Sequence, residues 1–216
     1  TISQHMVRRL ASKGVDADRT RFFPNWVELD RIYPVPHATS LRVKNFRNDQ
    51  IVVLYSGSLG KKQGLEILIE TARLLEKQHD NKIHFLLVGD GIDRHNLQAS
   101  ASGLRNISFW SLVPAEQLNE LLNLADIHVL PQRADAEDLV FPSKLTNMLA
   151  SGRPVVATAN PCTQIAEVLD GCGLVVTPGN PSALAEALNS LAADQEHRHL
   201  LGTAARHVAV HLWDKN

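Results

Sequence analysis

Asp135-Ala-Glu-Asp-Leu-Val-Phe-Pro-Ser-Lys-Leu-Thr-Asn-Met-Leu-Ala-Ser-Gly-Arg-Pro-Val-Val-Ala-Thr158 holds, in order, an acidic loop, a short helix, a glycine stop and a buried strand. Phe141-Pro142 forces extended backbone and cannot continue a helix. Ser143 follows as an N-cap candidate that leaves backbone N–H groups free in the next turn. Lys144 to Ser151 reads as helical, with Leu145, Met148 and Leu149 on one face. Gly152 stands where a left-handed C-cap belongs, and Pro154 reinforces the stop. Val155-Val156-Ala157 is apolar on both faces, as in a parallel sheet. On the helix's other arc lie Lys144, Asn147 and Ser151, three and four positions apart and so neighbours. A helix N-terminus that carries a lysine suits an anion. The plain alternative is a solvated polar face.

Outward from this stretch the chain alternates. Strand candidates are Ile51–Tyr55, Ile83–Val88, Ile107–Trp110, Ile127–Leu130 and Gly173–Val176. Helix candidates run from Leu65 to Lys77, up to Ser102, from Ala115 to Leu124 behind Pro114, from Cys162 to Leu169, from Pro181 to Ala193 and from Glu196 to Val210. About six such alternations predict an α/β fold, a doubly wound parallel sheet with helices on both faces. Ligands of such sheets sit outside the carboxyl ends of the strands. The loops with unusual chemistry, Gly57–Gly64, Gly89–Asp93, Trp110–Val113 and Pro131–Ser143, all follow strands and converge on one edge. Before Ile51, Ser3–Ser12 is amphipathic, Arg21-Phe22-Phe23 is a strand candidate, and Trp26–Asn48 reads as a connection.

Composition narrows the function. A chain of 216 residues with 44% hydrophobic and 21% charged residues is ordinary for a soluble globular protein. A net charge of −1 gives no field for polyanions, so nucleic-acid partners are not expected. Cys162 and Cys172 suggest reduced thiols in a cytosolic protein. No apolar run approaches the ~20 residues of a membrane span. The ten histidines form no His-Glu-x-x-His pattern, and no metal is expected. Neither a Gly-x-Ser-x-Gly elbow nor a lysine-bearing P-loop is present. Gly89-Asp90-Gly91-Ile92-Asp93-Arg94 opens like a dinucleotide fingerprint, but Arg94 occupies the third glycine position, which disfavours a hydride-transfer cofactor.

The loops that remain point to phosphate and hydroxyls. Gly57, Gly60 and Gly64 allow close backbone approach, and Lys61 and Lys62 add positive charge. Asp135, Glu137 and Asp138 form an acidic cluster beside the lysine-bearing helix, and carboxylates accept hydrogen bonds from sugar hydroxyls. The two charge types together favour a nucleotide sugar over bare phosphate.

At these residues the chain resembles the family 4 retaining glycosyltransferases, specifically the nucleotide-sugar-binding C-terminal half of a GT-B enzyme. The resemblance rests on Tyr55-Ser56-Gly57-Ser58-Leu59-Gly60-Lys61-Lys62-Gln63-Gly64, Leu87–Gly91, Ala125–Pro131, and above all Phe141–Lys144 with Met148–Ala157. It is similar to the subgroup of bacterial exopolysaccharide and O-antigen enzymes of the colanic acid and fucosamine-transferase types. Many members carry two glutamates eight residues apart, where this chain has Leu139 and Asn147. Many also carry arginine and lysine where Ser58 and Gln63 stand.

The resemblance implies a cytoplasmic enzyme, peripheral at the inner membrane through its other half. It would transfer a sugar from a UDP- or GDP-linked donor to a lipid-linked saccharide without a cofactor. Residues 1–48 would finish the N-terminal domain and form the interdomain linker segment, 49–195 would bind the donor, and 196–216 would be a C-terminal helix that stops before the crossover to the N-terminal domain. The implied catalytic groups are Lys144 and Lys62. The implied donor contacts are Gly57, Ser58, Gly60, Lys61, Gly89, Trp110, Leu112, Glu137, Asp138, Pro142, Ser143 and Asn147, with Asn147 on the ribose and the Trp110–Val113 main chain along the base. This piece alone would bind donor weakly and not turn over. Alternatives are a GT-B sugar-nucleotide epimerase or phosphorylase, and a non-catalytic nucleotide-binding scaffold.

Overall fold

The computed structural model describes residues 1–36, 39–78, 82–136 and 141–215. Six strands, β1 (Ile51–Ser56), β2 (Ile83–Val88), β3 (Ile107–Trp110), β4 (Ile127–Leu130), β5 (Val155–Thr158) and β6 (Gly173–Val176), form one sheet in the order β3-β2-β1-β4-β5-β6. Every pairing is parallel. The aliphatic strand sequences follow from this, because each central strand is covered on both sides. Along β1, Val53 and Tyr55 point into one core and Val52 and Leu54 into the other.

The helices split accordingly. α1 (Gln4–Ser12) and α2 (Ser40–Asn45) precede the sheet. α3 (Glu66–Lys77), α4 (Arg94–Ser100) and α8 (Pro181–Ala193) bury Leu68, Leu75, Leu97, Leu184 and Leu188 against one face. α5 (Leu118–Leu124), α6 (Lys144–Ala150), α7 (Gln164–Leu169) and α9 (Gln195–Trp213) cover the other with Leu121, Leu145, Leu149, Ile165 and Ala205. The winding reverses between β1 and β4, which are neighbours in the sheet. Doubly wound sheets take ligands at the carboxyl ends of such a strand pair, in the crevice between the loops that follow them.

Departures from the sequence expectation are local. Arg21–Phe23 is not a strand; the Phe23 N–H instead donates to the Thr1 carbonyl at 2.8 Å. The 27–36 segment is strapped down by side chains. Asn123 accepts from the Val35 N–H at 2.9 Å and donates to Tyr33 O at 2.9 Å, while Arg206 donates to Ile32 O at 2.8 Å. Within the former connection, α2 carries Arg42, whose guanidinium is buried against Asp126 at 2.8 Å. Asp126 also accepts from the Val52 N–H at 2.7 Å, so the pair locks α2 to the entrance of β1.

Candidate functional site

The β1 loop begins at Gly57, whose φ of +142° favours glycine. It is held by the β2 loop through backbone alone: Gly57 N–H donates to Val88 O at 2.9 Å, Leu59 N–H to Asp90 O at 2.9 Å, and Asp93 N–H to Leu59 O at 3.0 Å. A Cβ on Gly91 would lie 2.3 Å from Leu59 O. Gly89 is buried against the Gly57 turn, where the two main chains touch.

Arg94, the residue that breaks the dinucleotide pattern, donates to Gly89 O and, at 3.1 Å, to Trp110 O. Gly89 N–H also donates to Trp110 O at 3.2 Å. The Trp110 carbonyl is thus committed within the fold, and its ring packs on Phe46 with centroids 5.9 Å apart. Leu112, two residues on, is exposed. Within the Trp110–Val113 segment, Ser111 and Leu112 are exposed and Trp110 and Val113 half-buried.

Across the crevice, α6 delivers Lys144. Its Nζ donates to the Tyr55 hydroxyl at 2.7 Å and lies 4.1 Å from the Tyr55 ring centroid. A Cβ on Gly57 would come within 2.6 Å of the same Nζ. The structure therefore brings Gly57 and Lys144 together, with Tyr55 as an unforeseen third member. The only sequence signal for Tyr55 is a hydroxyl-bearing aromatic at the end of an otherwise aliphatic strand. Burial pushes the Lys144 ammonium down to about 8, and the same burial pushes the Tyr55 phenol up.

The other expected residues spread around this cluster. Lys61 and Lys62 sit on a single 3₁₀ turn, Lys61–Gln63, with both side chains exposed. Ser58 is exposed beside them, and Gly60 abuts Gln63, whose Oε1 would meet a Cβ there at 3.0 Å. Pro142 and Ser143 open α6, but Ser143 is not its side-chain cap. Its own backbone is helical, and its hydroxyl makes no capping bond. The Leu145 N–H donates to Pro142 O at 3.0 Å and the Thr146 N–H to Ser143 O at 3.3 Å, so those amides are already used.

Asn147 lines a cavity of about 1020 Å³ together with Trp26, Tyr33, Leu118 and Asn119. Ser151 was expected on the same polar arc but is fully buried; it accepts from His128 Nε2 at 3.0 Å and donates to Met148 O at 2.6 Å. Asp135 pairs with Arg133 at 3.0 Å, and Glu137, Asp138 and Leu139 lie outside the described residues. Among the described residues, no group of three or more His, Cys, Asp or Glu side chains could hold a metal. No helix among them is long and apolar enough to cross a membrane.

The model of the family described as Glycosyl transferases group 1 matches residues 38–208. The chain is 36% identical over 223 residues to the putative colanic acid biosynthesis glycosyl transferase WcaI of Escherichia coli (strain K12), across 100% of this chain and 53% of that protein. It is 29% identical over 225 residues to the GDP-mannose-dependent alpha-(1-6)-phosphatidylinositol monomannoside mannosyltransferase of Mycolicibacterium smegmatis, across 98% and 57%. The chain spans about half the length of the curated relatives it matches.

Among solved structures, sucrose-phosphate synthase from Thermosynechococcus elongatus superposes with a TM-score of 0.81 at 23% identity, over 99% of this chain and 53% of that one. Anabaena Alr3699/HepE in complex with UDP and glucose superposes at 0.79 and 19% identity, over 98% and 58%. These likenesses establish the fold, a Rossmann-like half of the GT-B kind. With the family model covering most of its length, the chain belongs to the group 1 glycosyl transferases.

Proposed function

We propose that this chain is the donor-binding half of a retaining family 4 glycosyltransferase that moves a sugar from a nucleoside diphosphate sugar to a lipid-linked bacterial polysaccharide. The observation that carries the reading is the Lys144 ammonium, held at the Gly57 turn, at the carboxyl end of β1, by the Tyr55 hydroxyl. Departure of a diphosphate from an anomeric carbon builds negative charge on the leaving oxygens. A fixed cation in a partly desolvated site stabilises that charge without reorganising. Lys144 supplies it here, with Lys62 and Lys61 on the exposed rim and the Gly57, Ser58 and Gly60 backbone along the phosphates. Pro142 and Ser143 would flank the diphosphate from the α6 side.

Asn147 would hydrogen-bond the ribose, and the chain around Leu112 would border the base. Glu137 and Asp138 are the candidates for sugar hydroxyls. No metal is required in this reading, because lysines neutralise the diphosphate. Residues 49–195 would be the donor-binding unit, flanked by the linker and the return crossover. The name of the Escherichia coli relative, a putative colanic acid biosynthesis glycosyl transferase, supports a bacterial polysaccharide product. The protein would work at the cytoplasmic side of the inner membrane. The names of other relatives and neighbours support either UDP or GDP as the nucleotide.

Calorimetric titration of the complete protein with UDP and with GDP tests this. Binding of one nucleotide is the expected result. No heat from either at millimolar concentration would instead indicate a scaffold domain.

A further inference from the structure

We propose that Tyr55 is the positioning residue of this site: its hydroxyl fixes where the Lys144 ammonium stands and keeps it protonated for an incoming diphosphate. The inference rests on the donor-binding reading above. Tyr55 is fully buried at the carboxyl end of β1. Its hydroxyl donates to Ser58 O at 2.7 Å, which leaves a lone pair for the Lys144 Nζ at 2.7 Å. One oxygen thereby joins the glycine loop to a side chain 89 positions away. Because the hydroxyl's proton is committed to Ser58, it meets the ammonium only as an acceptor. That arrangement favours charged lysine over neutral amine.

Among the described residues no carboxylate pairs with Lys144, so its charge stays available to a ligand. α6 itself carries no other ionisable side chain. Among the described residues the charged groups on the flanking loops are Lys61, Lys62, Asp90, Asp93, Arg133 and Asp135, and the last two pair with each other; Glu137 and Asp138, on the same loop as Asp135, lie outside the described residues. Burial has already brought the lysine down to about 8, so a small loss of support moves its titration into the working range. The phenol, pushed up by its own burial, stays neutral throughout.

The test follows nucleotide affinity against pH, from 7 to 9.5, in the complete protein. It uses whichever of UDP and GDP binds, with wild type, Tyr55→Phe and Lys144→Ala. Wild-type affinity should hold up to about pH 8 and fall above it. Tyr55→Phe keeps the ring and should stay folded, as a melting curve would verify. It should bind about tenfold more weakly, with its alkaline fall beginning roughly one pH unit lower, the shift expected from losing a hydrogen bond to a charged group. Lys144→Ala should bind weakly and lack the alkaline fall.

A Tyr55→Phe profile with the wild-type midpoint, even if uniformly weaker, would reduce Tyr55 to a structural residue and overturn the inference. A flat wild-type profile would overturn it too. Undiminished affinity in Lys144→Ala would sink the donor-site reading itself, a result distinct from either.

Discussion

Gly89 and Gly57 leave no room for a side chain between them: a Cβ on Gly89 would lie 1.8 Å from the Gly57 carbonyl oxygen. The obstacle is main chain, so no rotamer change relieves it. Gly89→Ala should cost at least about 3 kcal/mol by forcing the two loops apart. Urea denaturation would register this as a lower midpoint. A midpoint matching wild type would mean the loops separate freely.

Lys144→Ala in the complete protein should lower kcat/KM about 10²-fold, the loss typical of removing one preorganised charge-stabilising donor. Gly57→Ala should approach the same defect by another route, because its new methyl would occupy the space of the Lys144 Nζ, 2.6 Å away. Steady-state kinetics on both variants decides. An active Gly57→Ala would show that the ammonium can work from elsewhere.

His128 is completely buried, and desolvation holds its imidazole down to about 3. Its folded pKa lies below the unfolded value of 6.5, so the folded state binds fewer protons between the two. The stability this contributes is full above pH 6.5 and is lost as pH falls towards 3, at about 1.4 kcal/mol per pH unit. From pH 7 to pH 5, His128 should therefore account for about 2 kcal/mol of destabilisation. Chemical denaturation at both values, compared with His128→Gln, isolates the share. An equal loss in the variant would assign it to other groups.

Asp126→Ala would strand the Arg42 guanidinium in a buried site with 6% side-chain exposure. Breaking such a pair from one side typically costs about 3–5 kcal/mol. The defect should appear in unfolding free energy while nucleotide affinity per folded molecule stays unchanged, since the pair lies at the opposite end of β1 from Gly57. A selective loss of affinity would contradict this.

The strands were legible because they are covered on both faces: runs such as Ile51–Tyr55 and Ile83–Val88 have no polar alternation to confuse them. Helix α2 was hidden because six residues carry no period, and its anchor is an ion pair with Asp126, far away in sequence. Ser151 was misplaced on the polar arc because the hydroxyl's partner, His128, belongs to another strand. Ser143 looked like a cap because Pro142 bars a helical residue before it, yet Pro142 itself opens the first turn. The site was half legible. Gly57 and Lys144 announce themselves by residue type, whereas a buried tyrosine in a hydrophobic strand does not show what its oxygen meets. Gly89-Asp90-Gly91 does not show by type that its glycines also pack on another loop, since glycines that admit a ligand equally admit a neighbouring main chain.

The Tyr55–Lys144 contact also bears on how the protein acquires its site. The two residues are separated by 89 positions and meet only when β4 has docked beside β1, after β2, β3 and their helices have been threaded out along the other edge. Contacts between residues so far apart in sequence carry a loop-closure cost that slows folding. A nascent chain that has completed only its first three strands possesses the glycine turn but no ammonium to complete it. On the donor-binding reading, nucleotide capture would report that the sheet's two halves have joined, so binding during refolding would register native topology.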